Sequence, residues 1–98
     1  MADLEFEWDH RKDSANRKKH GVSFSEASTV FADEWALLIE DPDHSAEDER
    51  FVLLGLSSTL RALVVCHCYR ERNELIRIIS ARRATRPERD LYNKRLKK

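Results

Sequence analysis

Residues 63–81 read LVVCHCYRERNELIRIISA, in which two apolar runs enclose a short polar segment. Valine, isoleucine and aromatic residues at this density are typical of β-strands, and the charged residues around Asn73 indicate a turn. Because so short a connection leaves no room for a crossover helix, the two strands should pair antiparallel. This hairpin is the centre of the predicted fold.

Further strands and helices are predicted on both sides of the hairpin. The alternating LEFEW of residues 4–8 and the apolar runs at 35–39 and 51–56 each predict a strand. Asp9 caps a first helix that ends at Gly21, while SFSE (23–26) and TRPE (85–88) are capping boxes that begin two more helices. The predicted order is β-α-α-β-β-β-β-α, an α+β domain with a twisted antiparallel sheet, two N-terminal helices and one C-terminal helix.

The chain has 98 residues, of which 41% are apolar and 37% charged, as expected for a single folded domain spanning residues 1–98. No apolar run approaches the roughly 20 residues of a membrane-spanning helix, and the N-terminus is unlike a signal peptide. Cys66 and Cys68 are two apart on one strand, a poor geometry for bridging each other. We therefore expect a reduced, cytoplasmic protein.

The net charge of zero conceals a strong asymmetry between the two parts of the chain. Residues 1–57 hold 6 Lys and Arg against 14 Asp and Glu, whereas residues 58–98 hold 12 against 4. The net charges are therefore −8 and +8, which predicts separate negative and positive surfaces. A positive surface attracts anionic polymers such as nucleic acids.

The tripeptide Cys66-His67-Cys68 suggests a metal site, but strand alternation sends His67 to the opposite face from both cysteines. We therefore predict buried cysteines that act as small apolar residues, and neither a metal nor another cofactor. His67 itself is either a packed, hydrogen-bonded strand residue or a functional imidazole. The sequence leaves both interpretations open.

Arginine inside an apolar strand has to meet an anion or water, because its charge is costly to bury unpaired. Arg77 is in this position and Arg82 follows at the end of the same run. Their partner is either a carboxylate, such as Glu71 or Glu74, or a phosphate group. In the basic C-terminal helix, Tyr92 is a candidate for base stacking or proton transfer.

Lys18-Lys19-His20 precedes Gly21 at the predicted end of the first helix. Basic residues suit a helix C-terminus, so a purely structural role explains them well. A role for Lys19 and His20 in a functional site is the alternative.

Several segments together resemble the BrnT family of toxins. They are Trp8-Asp9, KHGVSF (19–24), DPDH (41–44) and IRIISARRAT (76–85), and the resemblance extends from Trp8 to Tyr92. The chain departs from the family pattern at His10, where a proline is expected, and at Arg17, where an apolar residue is expected. Both departures lie in the first helix.

The resemblance implies a RelE-like fold and the toxin of a type II toxin–antitoxin pair, an endoribonuclease that cuts RNA and inhibits translation. It also implies a DNA-binding antitoxin of the BrnA type, which would bring the toxin to operator DNA indirectly. A homo-oligomer is a further expectation. The alternative is a degenerate toxin, a module that binds nucleic acid or protein without catalysis.

Metal-free RNA cleavage requires a base for the 2′-hydroxyl proton, cations for the charged intermediate and an acid for the leaving oxygen. Our hypothesis assigns the phosphate to Arg77 and Arg82, and further RNA contacts to Lys19, Arg70 and Arg83. The base would be His67 or Glu71, and the acid His20 or Tyr92.

Overall fold

The computed structural model describes residues 4–39, 50–70 and 74–96. The elements are β1 (Glu5–Glu7), α1 (His10–His20), α2 (Phe24–Thr29), a single 3₁₀ turn (Val30–Ala32), β2 (Leu37–Ile39), β3 (Phe51–Leu56), β4 (Ala62–Arg70), β5 (Leu75–Arg83) and α3 (Arg86–Leu96). This confirms the predicted order of strands and helices. Residues 41–44 and Glu71 lie outside the described residues.

The five strands form one sheet in the order β1-β5-β4-β3-β2. Strands β2 to β5 are an antiparallel meander, as predicted, but β1 pairs in parallel with β5. The sheet is therefore mixed, and the prediction of a wholly antiparallel sheet is wrong for β1. A short turn fixes the relative direction of two consecutive strands, whereas nothing local fixes the direction of a strand that pairs with one about 70 residues away.

Helix α1 begins and ends where the sequence predicted. The Asp9 carboxylate accepts hydrogen bonds from the backbone N–H groups of Arg11 and Lys12, at 2.8 and 3.3 Å. These bonds hold the pKa of Asp9 below its usual range. At the other end, Gly21 has φ +69°, a left-handed conformation that glycine adopts without strain, and its N–H donates to the Arg17 carbonyl.

The buried side chain of Asn16 joins α1 to the sheet. Its Nδ2 donates to the carbonyls of Val22 and Ala81, both at 2.8 Å, and its Oδ1 accepts from the Ala81 N–H at 3.2 Å. The pairing of β1 with β5 ends at Arg77, so the amide of Asn16 takes over the hydrogen bonding of β5 further along the same edge. The Asn16 side chain thus makes the hydrogen bonds with Ala81 that a neighbouring strand would otherwise make.

Two apolar cores lie in the structure. The larger joins the corner after α1, helix α2 and the 3₁₀ turn to β4 and β5, and it contains Val22, Phe24, Ala27, Val30, Leu63, Val65, Ile78 and Ala81. The smaller lies under α3 and contains Val52, Leu54, Val64, Ala84 and Tyr92. Strand alternation explains the division, since consecutive residues of β4 point to opposite faces.

The capping box at the start of α2 forms only in part. Ser23 Oγ accepts from the Glu26 N–H at 3.0 Å, but the Glu26 carboxylate bonds Ser57, Thr59 and Arg61 instead of the cap. The guanidinium of Arg61 lowers the pKa of Glu26 to about 2. A stronger partner from the β3–β4 connection has therefore displaced the local bond.

The capping box of α3 forms fully and includes a strand residue. The Thr85 N–H donates to Glu88 Oε1 at 2.8 Å, and the Glu88 N–H donates to Thr85 Oγ1 at 3.4 Å. Both oxygens of Glu88 also accept from Arg82 of β5, at 2.7 and 2.9 Å. The Arg82 guanidinium lowers the pKa of Glu88 to about 2. This pair fixes the start of α3 against the sheet.

Of the helices in the described ranges, none combines the length and apolar character needed to cross a membrane.

We expect Asn16→Ala to lower the free energy of unfolding by at least about 2 kcal/mol, because it leaves backbone groups of Val22 and Ala81 buried without partners. Urea denaturation followed by circular dichroism measures this. Asn93→Ala, an identical change at an exposed position of α3, should cost much less. Equal losses in the two variants would contradict the bridging role of Asn16.

The Arg82–Glu88 pair predicts a pH dependence of stability. Since the pKa of Glu88 is lowered in the folded state, the pair stabilises fully above about pH 4.5 and its contribution is lost as the pH falls towards about 2. Arg82 is 36% exposed, so screening by solvent leaves a contribution of about 1 kcal/mol. Glu88→Gln should remove this part of the dependence, which urea titrations at pH 2 to 6 will measure. Asp90→Asn on the same helix should leave it unchanged.

Candidate nucleic-acid cleft

A cleft of about 350 Å³ opens where β4 ends and β5 begins. We call it the basic cleft, because its lining includes four cationic side chains from separate segments. The described residues that line it are Lys12, Arg50, Cys68, Tyr69, Arg70, Arg77 and Ile79. The register of the hairpin explains part of this grouping, because Cys68 is paired with Arg77 across β4 and β5. The end of β4 and the first half of β5 thus lie beside a positive cleft.

Strand alternation turns Arg77 away from the larger core. Its neighbours Ile76 and Ile78 are 2% and 1% exposed, whereas the Arg77 side chain is 29% exposed. An arginine can hold this intermediate position because its stem packs on apolar neighbours while the guanidinium reaches solvent or an anion. The Arg77 side chain thus lines the cleft and is not buried in the core.

Glu7 of β1 bridges two arginines of the basic cleft. Its Oε1 lies 3.4 Å from Nε of Arg70 and 3.4 Å from Nη1 of Arg77. The anion expected beside Arg77 is therefore a carboxylate of β1 in the described structure. The sequence had suggested Glu71, which is not described, or Glu74.

Tyr69, which lines the basic cleft, belongs to a cluster of aromatic rings. The ring of Tyr69 lies 5.2 Å from that of Phe51 and 5.3 Å from the imidazole of His67, both edge to face. Tyr69 and Phe51 are each 37% exposed. Proteins that bind single-stranded nucleic acids present exposed aromatic rings beside positive charge, and the bases stack on these rings.

His67 is completely buried below these rings. Its Nδ1 lies 3.1 Å from the Val65 carbonyl, its Nε2 lies 3.4 Å from the Tyr69 hydroxyl, and Phe31 packs against it with ring centroids 4.7 Å apart. Burial holds the pKa of His67 below its usual range, which favours the neutral imidazole. These contacts correspond to the packed alternative that the sequence left open.

Tyr92 lies in the smaller core, on the other face of the sheet from α1. It is 2% exposed, and its hydroxyl donates to Asp33 Oδ2 at 2.6 Å. Burial, together with the Asp33 carboxylate, raises the pKa of Tyr92 to about 12. The same Asp33 oxygen accepts from the Leu56 N–H, so this contact joins α3 to β3.

The other predicted site residues that the structure describes are not part of the lining of the basic cleft. Arg82 binds Glu88 at the start of α3, and Arg83, the last residue of β5, is exposed. Lys19 and His20 end α1 about two turns after Lys12. Gly21 follows them, and its carbonyl accepts from Arg61 at 3.1 Å. Of the predicted residues, the structure therefore brings Arg70 and Arg77 together in the cleft.

The sequence patterns predicted no site role for Glu7, Lys12, Arg50 or Tyr69. Glu7 carried a usable signal, since alternation in LEFEW puts both of its glutamates on one side of a strand whose partner was unknown. Lys12 belongs to a helix that is polar on almost every side, so its direction could not be inferred. Arg50 required the register of β3 against β4, which places its neighbour Phe51 opposite His67.

Comparisons with known proteins agree with this structure. The profile of the family described as "Ribonuclease toxin, BrnT, of type II toxin-antitoxin system" matches residues 8–88. No curated protein sequence matches the chain. Among solved structures, the 1.1 Å crystal structure of the Brucella abortus ribonuclease toxin BrnT superposes with a TM-score of 0.64.

That structure shares 21% sequence identity with this chain, and the alignment covers 86% of this chain and all of the Brucella protein. At this identity the likeness shows the fold. The family match, which spans most of the sequence, shows the kinship that the motifs had suggested. The chain belongs to the BrnT family, the ribonuclease toxins of type II toxin–antitoxin systems.

Proposed function

We propose that this chain is a metal-independent endoribonuclease that binds its RNA in the basic cleft and inhibits translation by cutting it. The convergence of Lys12, Arg50, Arg70 and Arg77 on one cleft carries the proposal. Cations from four separate segments suit a phosphate backbone, which presents one negative charge per nucleotide. Family membership supports the ribonuclease activity, and the distribution of charge supports the basic cleft as the site where RNA binds.

Cleavage of RNA by its own 2′-hydroxyl needs no metal when fixed cations stabilise the extra charge that develops at phosphorus. Arginine suits this role, because its planar guanidinium can donate two parallel hydrogen bonds to a phosphate. Arg70 and Arg77 share a carboxylate neighbour, Glu7, and therefore lie close enough to act on one phosphate. We assign the scissile phosphate to these two residues.

Binding of the bases is assigned to Tyr69 and Phe51, whose half-exposed rings adjoin the positive charge. His67 and Tyr92 then support the structure: His67 carries the Tyr69 ring, and Tyr92 holds α3. Arg82 anchors α3 through Glu88.

Lys19, His20 and Arg83 belong to basic segments outside the cleft lining, and we propose that they contact RNA further along the strand.

A toxin of a type II system has an antitoxin partner. We propose that this partner is a DNA-binding protein of the BrnA type that neutralises the toxin in the cytoplasm and links it indirectly to operator DNA. A RelE-like relationship of the fold and a homo-oligomer stay predictions. Growth arrest on expression of the chain, relieved by co-expression of the neighbouring gene product, tests the pairing.

Arg77→Ala should lower kcat/KM for RNA cleavage by about 100-fold or more, because a preorganised cation next to the reacting phosphate is lost. The assay is cleavage of a labelled RNA by purified protein in excess EDTA. The salt dependence of RNA binding should also weaken, by about 0.7 in the slope of log K against log salt. Arg86→Ala, which removes an exposed charge from α3, should behave like the unaltered protein in cleavage.

Full activity of Arg77→Ala would contradict the basic cleft as the site of cleavage. Loss of all cleavage in EDTA, restored by a divalent cation, would contradict metal independence. A protein that binds RNA through Arg77 but leaves it intact would instead identify the degenerate, non-catalytic module.

A further inference from the structure

Glu7 is held firmly beside the basic cleft. It ends β1, where the parallel register sets it opposite Arg77, and Asp9 caps α1 two residues later. Between them, Trp8 packs against the larger core. The Glu7 side chain is 36% exposed and contacts two arginines of the cleft, so a ligand bound to these arginines can reach its carboxylate.

The contacts of Glu7 leave room for a phosphate on the same arginines. Glu7 uses Nε of Arg70 and Nη1 of Arg77, and each guanidinium carries further N–H groups. A phosphate that accepts from those groups lies on the order of 5 Å from the carboxylate, since both contact the same planar guanidinium groups. The 2′-hydroxyl next to the scissile phosphate lies within this distance of the phosphorus.

We propose that Glu7 is the general base of RNA cleavage, an inference that rests on the proposed function. The Glu7 carboxylate takes the 2′-hydroxyl proton, and the 2′-oxygen attacks phosphorus. The bond from phosphorus to the 5′-oxygen then breaks, and that oxygen takes a proton from water, leaving a 2′,3′-cyclic phosphate and a free 5′-hydroxyl. The resulting hydroxide removes the proton from Glu7 and restores the carboxylate.

The electrostatics of the cleft favour proton transfer at this point of the reaction. The carboxylate and the phosphate repel each other in the bound state, and Arg70 and Arg77 hold them together. As negative charge grows at phosphorus, protonation of Glu7 removes the repulsion and leaves both arginines to the phosphate. The interaction is thus stronger in the transition state than in the bound substrate.

The test separates binding from cutting. We expect Glu7→Gln to lower the rate of cleavage at saturating RNA by about 100-fold or more, which is typical of the loss of a general base. The same variant should bind an RNA with 2′-O-methyl groups, which cannot be cut, several-fold more tightly, because one negative charge has been removed from the cleft. Glu5→Gln, an equal change on the exposed part of the same strand, should alter neither quantity.

A pH profile and a second variant complete the experiment. The cleavage rate of the unaltered protein should fall on acidification as the base is protonated, and Glu7→Gln should lose this fall. Glu7→Asp keeps a carboxylate and should cut RNA faster than Glu7→Gln, which also covers the case in which the glutamine variant does not fold.

Three results would overturn the inference: full activity of Glu7→Gln, weakened RNA binding together with weakened cleavage, or an unchanged fall in rate at low pH. If the unaltered protein cuts no RNA at all, the proposed function fails, and with it the role of Glu7. Full cutting by both proteins refutes only the role of Glu7.

Discussion

The three hydrogen bonds of the Asn16 side chain connect the helical layer to the sheet, and much of the molecule depends on them. They tie the middle of α1 to Ala81 and, through Val22, to the corner before α2. With α1 fixed at this point, Lys12 lies at the basic cleft one turn before the bridge, and Lys19 and His20 lie beyond it. A single buried amide therefore positions cationic groups at both ends of the helix.

The arginines of β5 and its neighbours divide into two groups by the geometry of their carboxylate partners. Arg82 and Arg61 make close contacts with Glu88 and Glu26, whose pKa values fall to about 2. Arg77 and Arg70 meet Glu7 at 3.4 Å, a longer contact that leaves donors to spare. Close pairs fix elements of the fold, whereas the looser pair stays available to a ligand.

Local patterns predicted the helices, the caps and the antiparallel hairpins, because these depend on residues a few positions apart. The direction of β1 and the diversion of Glu26 to Arg61 depend on partners from distant parts of the chain, and no local pattern contains that information. The same limit applies to the site. Arg77 could be recognised from the sequence as a charged residue in an apolar strand. The position of Glu7 beside Arg77 became visible only from the pairing of β1 with β5.

The sheet is bounded by two very short strands, β1 and β2, each of three residues. An edge strand exposes unpaired backbone groups, and long, flat edges recruit strands from other chains. Here each edge strand offers an incoming strand only three residues for pairing. On β5, beyond the end of β1, the backbone groups of Ala81 are already hydrogen-bonded to the amide of Asn16. The side chain that fixes α1 thus also shields part of the sheet from aggregation.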